Sequence, residues 1–572
     1  MTHVIRKGVS AWLKINALAI LVGIVGGLGS VIFRQMIGFF QYIFFDMLLP
    51  RITYMVGDYN IGIILLPTIG ALIVGPIVNK IAPETKGHGV PEVIEAVAIN
   101  EGVIRTRVAA VKILVSSLTI GSGGSVGREG PIAQIGSSFG SALGQWFHLD
   151  ESYQKLLVVC GLSSGISGTF MAPLGGAIFG IEVIYGGIAP YDVIPIFLSS
   201  VVGFFVTAEV FGIAPAFILP TYRFTNPLEL GYFVPIGLLF GLISIVWTRG
   251  LYLFEDFFDE LSIPEWVKPS IGGFLTGILG MFFISYGIFG TGYEGLEMAI
   301  AGDLSFKLLI ILGIVKLVAT SLTVGSGSSG GIYAPTLYIG GMFGGALGLL
   351  MVGLPFAATE PFVYSLIGMA ALFAGAARAP LTCIVMLPEM SENYYLFPPL
   401  MLACASSYFI SMLLMRDSIY TIKLKRRGIN VDKPLSPLHL VHVADVMTPI
   451  EDVVSVKPDT PLSVVNFIMW ETEHTAFPVI DENKYYGMLT FEIMTHTPEE
   501  MREILTAKEA ADKDLPIVRL DDNIYSVMEA ISENDYEILP VLDENGAILG
   551  LISDSDVLQA FSIGEDKMNM FS

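Results

Sequence analysis

Residues 112–131 read KILVSSLTIGSGGSVGREGP, and residues 316–335 read KLVATSLTVGSGSSGGIYAP. Aligned without gaps at an offset of 204, ten of the twenty positions are identical. Each copy begins apolar, turns into a run of Gly and Ser, and closes on Pro131 or Pro335. Glycine makes poor continuous helix and proline is at home in a first helical turn, so each copy predicts a break followed by a new helix start. A second echo follows. Ala172-Pro173-Leu174 is trailed eight residues later by Glu182, and Ala379-Pro380-Leu381 eight residues later by Glu389. Internal repeats of this kind mark transporter folds whose substrate site lies between two halves. Chance similarity of two apolar stretches would not share the spacing of Gly, Ser and Pro. The repeat alone leaves parallel and inverted halves both open.

Composition places the repeat in lipid. The chain has 572 residues, 53% hydrophobic and 15% charged, with 62 glycines and a mean hydropathy of +0.68. Soluble globular chains carry about 25% charged residues. Apolar runs near the length needed to cross a bilayer, about 20 residues, recur at 17–33, 61–78, 191–213, 233–247 and 308–324. These predict a multi-pass helical protein of the cell membrane. His3, Arg6 and Lys7 lead directly into the first run with no secretory cleavage pattern. Cys160, Cys383 and Cys404 stand alone in apolar surroundings, with neither a metal spacing nor a disulfide framework.

The net charge of −22 is unevenly placed: residues 429–572 hold 28 acidic and 8 basic residues, leaving 25 and 23 in the first 428. The acidity belongs to a soluble tail and argues against a nucleic-acid partner, which Lys and Arg would have to hold. Lys423, Lys425, Arg426 and Arg427 close the apolar part. Such a cluster favours the cytoplasmic side, which puts the tail, and with it the N-terminus, inside. The expected division is a transmembrane domain over 1–424, a basic linker over 425–438, and two soluble α/β modules over 439–504 and 505–572.

A helix that starts in mid-membrane exposes unpaired N–H groups and the positive end of its dipole, which together hold an anion. Ser side chains add neutral donors, so a small anion is bound without being fixed to a buried Lys or Arg. Gly87-His88-Gly89-Val90-Pro91 is a third segment of this kind. Tight helix packing through small residues explains many membrane glycines, but not three Gly-rich stretches each ending in proline. Glu129 stands out because an ionisable group there is costly and functional by default. Ionised, it can occupy the anion site as a tethered competitor; protonated, it can leave. An ion pair with Arg128 is the competing explanation.

These residues carry a family resemblance. Gly127-Arg128-Glu129-Gly130-Pro131 matches the GREGP signature of the CLC family of chloride channels and transporters. Gly330-Gly331-Ile332-Tyr333-Ala334-Pro335 resembles its GGIFAP signature with Tyr for Phe, and residues 87–91 its GSGIP signature with His88 for Ser. Ser418-Ile419-Tyr420 looks like the family's last membrane helix, whose tyrosine hydroxyl faces the anion. The resemblance covers the whole membrane part in the right order. It implies the CLC fold of two inverted repeats of tilted and broken helices, and a homodimer in lipid with one anion path per subunit. It also implies Glu129 as the gating glutamate and an anion site formed by His88, Gly130, the backbone N–H groups of Ile332 and Tyr333, and Tyr420. Arg128 is then structural.

Two departures bear on mechanism. Val183 takes the position where the family's exchangers carry a second, intracellular glutamate, and Glu182 matches the structural acid before it. Valine cannot carry a proton, which favours passive, voltage- or pH-gated chloride conduction. A proton-coupled chloride exchanger on the same fold is the alternative, with a water chain or Glu182 in place of the missing acid. His88 adds a donor to the site, unless its side chain points away and a backbone N–H serves instead. The family's fluoride exchangers carry Asn or Met at this position and alter the GREGP proline; neither holds here, so fluoride is disfavoured.

The tail repeats one pattern. Asp445-Val446-Met447 opens it; Phe477-Pro478-Val479-Ile480-Asp481 precedes Gly487-Met488-Leu489-Thr490, and Leu539-Pro540-Val541-Leu542-Asp543 precedes Gly550-Leu551-Ile552-Ser553. Each copy predicts helix, strand, acidic turn, strand and helix, and the pair resembles two CBS modules. That family holds a nucleotide ribose on Ser/Thr-x-x-Asp. Ser553 to Asp556 satisfies this and Thr490 to Ile493 does not, so one adenine-nucleotide site is expected, or modules that only stabilise the dimer. CBS modules also regulate soluble enzymes, which the membrane part excludes, and cation transporters, which would need membrane carboxylate clusters. No enzymatic activity, catalytic residue, metal site or required cofactor is expected.

Overall fold

The computed structural model describes residues 2–186, 190–213, 222, 227–355, 360–429, 438, 441–472, 474–481, 484–513, 515–534, 536–543 and 546–571. Two compact units emerge, Met1–Asp432 and Lys433–Ser572.

The first unit is helical. Among the described residues seven helices are long and apolar enough to cross a membrane: Trp12–Ile52, Ile61–Lys80, Asp192–Phe211, Pro227–Glu260, Phe306–Gly325, Tyr333–Met351 and Tyr394–Leu414. Five of them contain or closely match the apolar runs of the sequence. Tyr333–Met351 escaped because its five glycines dilute its hydropathy, yet 78% of its window is buried, so protein rather than lipid surrounds it. The helices Arg107–Gly121, Glu129–Trp146 and Glu151–Phe170 are likewise buried along most of their length.

Small residues let these helices approach backbone to backbone. A Cβ on Gly136 would lie 2.0 Å from the Gly161 carbonyl oxygen, and one on Gly161 would lie 2.1 Å from that of Gly136. Gly340 and Gly368 repeat the arrangement in the second half, at 2.3 Å each way. The halves also cap one another. Glu182 accepts from the N–H groups of Leu381 and Thr382 at 2.9 and 2.7 Å, at the start of helix Pro380–Ser391. Glu389 accepts from those of Leu174 and Gly175 at the same two distances, at the start of helix Pro173–Phe179. The echo Ala-Pro-Leu…Glu is therefore one device used twice, each carboxylate stabilising the positive helix end of the opposite half.

The second unit holds two α/β modules. Strand Ala476–Asp481 pairs antiparallel with Lys484–Thr490 between helices Leu462–Thr472 and Phe491–His496. Strand Ile538–Leu542 pairs with Ile548–Ser553 between helices Ile524–Asn534 and Asp554–Phe571. The modules exchange their leading segments. Thr448–Pro449 pairs with Gly550 and Leu551 of the second hairpin, while Asp512 bridges to Met488 of the first. Val441 and Val443 accordingly lie in the second module's core and Ala507 and Ala511 in the first's.

Candidate functional site

The three Gly-rich segments meet. Gly127 and Gly331 exchange two hydrogen bonds of 2.7 Å, each N–H donating to the other's carbonyl. These glycines are equivalent in the repeat, so the two-fold relation between the inverted halves passes between them. Gly87 joins on one side: its N–H donates to Ser328 O at 3.1 Å and its carbonyl accepts from Gly330 N at 3.2 Å. Side chains repeat the symmetry. Ser116 Oγ lies 2.9 Å from Ser329 Oγ, and Ser125 Oγ lies 3.3 Å from Thr320 Oγ1.

The lysines that open the two copies anchor the loops. Lys112 Nζ donates to the carbonyls of Thr85 and Gly87, both at 3.0 Å. Lys316 Nζ donates to those of Gly287, Ile288 and Gly290, at 2.9–3.1 Å. Both ammonium groups are fully buried, which is tolerable because carbonyl oxygens take their donors. The second set exposes an echo that sequence reading missed: Gly290-Thr291-Gly292-Tyr293 stands opposite Gly87-His88-Gly89-Val90. Only two glycines are shared, and their spacing was the available signal.

Glu129 opens its helix and is 2% exposed. Its Oε1 accepts from the Tyr293 hydroxyl at 3.0 Å, and its Oε2 from Ala334 N at 3.4 Å. The carboxylate of one half thus rests on the first turn of helix Tyr333–Met351 in the other, where unpaired N–H groups favour negative charge. The ion pair with Arg128 is not formed among the described residues. Arg128 Nη2 instead donates to Thr169 O at 3.3 Å, and its guanidinium lies 5.4 Å over the Tyr293 ring.

The expected anion ligands fall around this point. Ile332 caps helix Tyr333–Met351. Tyr333 turns its ring away, against Phe170 and Phe373, and its hydroxyl lies 3.0 Å from Met386 Sδ, which leaves its backbone at the junction. Gly130 is held where only glycine fits: a Cβ there would lie 2.0 Å from His88 O and 3.2 Å from Gly331 Cα. The His88 ring packs 5.7 Å from that of Tyr420, centroid to centroid, and both residues are 2% exposed.

Val183 lies in the π-turn Gly180–Tyr185, half-buried against the main core. Glu182 is engaged as a cap through both oxygens, with a further hydrogen bond from Thr382 Oγ1 at 2.6 Å. The basic cluster is paired within this unit: Lys423 and Arg427 meet Glu92 at 3.2 and 3.0 Å, and Arg426 meets Asp256 at 2.6 Å. In the tail, Asp556 Oδ2 accepts from both the N–H and the hydroxyl of Ser553 at 2.8 Å, capping helix Asp554–Phe571. Thr490 caps its own helix by accepting from Ile493 N at 3.4 Å, and Ile493 stands where the second module has Asp556.

Two inverted halves of broken helices, with helix starts and an ionisable group gathered at their crossing, define a membrane transport protein for small anions. Residues 70–412 match the family described as "Voltage gated chloride channel", and residues 443–495 and 507–563 each match the CBS domain. The chain belongs to the voltage-gated chloride channel, or CLC, family and carries a CBS pair. A putative chloride channel protein, ClcB-like, of Ralstonia nicotianae is 28% identical over 72% of this chain and 96% of its own. The H(+)/Cl(-) exchange transporter ClcA of Vibrio parahaemolyticus is 32% identical over 65% of this chain and 80% of its own. Its namesake in Yersinia pestis is 30% identical over 72% and 88%. Among solved structures, a slow cyanobacterial Cl-/H+ antiporter superposes with a TM-score of 0.65 at 26% identity, covering 73% of this chain and 99% of that one. A eukaryotic CLC transporter, 18% identical with a TM-score of 0.64, covers 95% and 98% and shares the fold.

Proposed function

We propose that the protein exchanges chloride for protons across the membrane, with Glu129 as the group that takes up the proton and, when ionised, competes with chloride for its place. The observation that carries this reading is the seat of the Glu129 carboxylate on the helix start at Ala334, a place fitted to a chloride ion. Ionised, the side chain fills that place. A proton removes its charge and its claim on the N–H dipoles, and chloride replaces it. Relatives named as H(+)/Cl(-) exchange transporters support exchange over the passive conduction that Val183 favours by itself.

Passive conduction keeps one specific observation in its favour: Val183 is not titratable, and Glu182 is committed to helix Pro380–Ser391. Liposomes loaded with chloride separate the two readings. With valinomycin and potassium relieving charge build-up, an imposed proton gradient drives chloride uphill if the protein is an exchanger. Chloride that leaves yet is never moved by the proton gradient establishes a channel.

The same reading places the CBS pair on the cytoplasmic side, following the basic cluster, and takes the functional unit as a homodimer. An adenine nucleotide is assigned to Ser553 and Asp556 of the second module.

A further inference from the structure

On the exchange reading protons must reach Glu129 from the intracellular side, and Val183 cannot carry them. His88 sits at the crossing of the broken segments, its carbonyl against Gly130 and its ring against Tyr420. The ring is buried, and neither Nδ1 nor Nε2 has a hydrogen-bond partner among the described residues. Buried polar groups seldom go unpaired, and a ring open at both nitrogens can donate on one side while accepting on the other.

The charged groups around it are Glu92 on helix Val90–Ile99, Lys112 on helix Arg107–Gly121, Lys423 on helix Thr421–Arg426, and Arg427 just beyond. Glu92 is the single anion among them and already pairs with Lys423 and Arg427, while Arg427 also meets Glu95. The balance is positive. Such a field attracts an anion to the ring and opposes a proton there until the anion has arrived, so each makes the other's binding more favourable.

We infer that His88 is a second proton site of the anion path, taking up a proton on one ring nitrogen when a small anion is held by the N–H of the other, beside Tyr420. In transport, a water-borne proton adds to the bare nitrogen and gives an imidazolium. Once the anion has moved on, the added proton leaves the same nitrogen for the Glu129 carboxylate or for water, and the ring returns to its starting neutral tautomer with no other reactant consumed. This transport role rests on the exchange reading proposed above.

The test is chloride binding to the purified full-length protein by calorimetry in the E129Q background, which removes the titration of Glu129 itself. Affinity is expected to strengthen about threefold or more between roughly pH 7.5 and 5.5, within the tenfold per pH unit that one linked proton permits. E129Q/H88Q is expected to show no such slope. The E129Q titration repeated in two buffers of different protonation enthalpy counts the protons taken up per chloride without altering His88, so it stands even if H88Q does not fold. A pH-independent affinity in E129Q, zero proton uptake, or an unchanged slope in the double variant overturns the inference. In liposomes, H88Q is expected to lose most of the proton movement per chloride, read as the ratio of the two fluxes; a wild-type ratio in H88Q would overturn the transport role. If the wild-type protein shows no proton-driven chloride uptake, the exchange reading falls, and the calorimetry alone decides whether His88 binds a proton with the anion.

Discussion

At the scale of single residues, the two bonds that seat Glu129 fix what its variants should do. E129Q is isosteric but uncharged, so it cannot compete with chloride for the Ala334 N–H by charge. Chloride efflux should persist in E129Q liposomes, and proton-driven chloride uptake should vanish; retained uphill uptake would remove Glu129 from the mechanism. Tyr293 is a finer probe, since its hydroxyl donates to Glu129 Oε1. A hydrogen bond to an ionised group contributes about 1.5–3 kcal/mol. Y293F should loosen the seated carboxylate and strengthen apparent chloride affinity by roughly tenfold, measured by calorimetry at neutral pH. A weaker affinity would mean that Tyr293 serves the anion rather than its competitor. Glu129 was legible in the sequence because it ends a Gly-rich break inside an apolar chain. Tyr293 was not, because it reaches Glu129 from 164 positions away and its own segment shares only two glycines with its counterpart.

At the scale of elements, the reciprocal caps make a prediction about symmetry. Losing a side-chain cap costs about 0.5–2 kcal/mol. E389A and E182A should each lower the thermal unfolding temperature in detergent, E182A by more because Thr382 Oγ1 is also bonded to Glu182. If Glu182 instead carried protons, E182Q would lose proton coupling while keeping thermal stability. A smaller cap lies in the tail, where the Thr506 N–H and hydroxyl hold the Glu509 carboxyl below its ordinary 4.5. A lowered native value means the contribution is present above the unfolded value and lost as pH falls through the native one. The tail should therefore lose stability in acid below about pH 4.5, and E509Q should blunt that loss in a pH series of unfolding curves. Broken helices were readable from Gly and Pro spacing, and so was the repeat. Helix Tyr333–Met351 was hidden because a helix wrapped in protein needs close-packing glycines more than hydropathy. The exchange of leading segments between the tail modules left no local pattern at all, since Thr448 and Leu551 meet through backbone pairing.

At the scale of the whole chain, charge separates what lipid and water each hold. A net −2 over the first 428 residues leaves the anion path to helix dipoles and neutral donors, while a net −20 over the rest surrounds the expected nucleotide site. Such a field opposes a polyphosphate at long range and is screened by salt, with a Debye length of about 30 Å at 0.01 M and about 8 Å at 0.15 M. Binding of ATP should therefore strengthen as salt is raised from low to physiological concentration, whereas adenosine, which carries no charge, should bind with little salt dependence. Asp556 is the discriminating residue. It already caps its own helix, and a ribose must share its outer lone pairs. D556N should keep the cap's geometry, since the amide oxygen still accepts from Ser553, while weakening adenosine and ATP alike by about tenfold or more through loss of a charge-assisted acceptor. Equal binding by D556N and wild type in equilibrium dialysis would leave the CBS pair a structural role. Tighter ATP binding by D556N with adenosine unchanged would place the phosphates, rather than the ribose, at Asp556, where the carboxylate repels them.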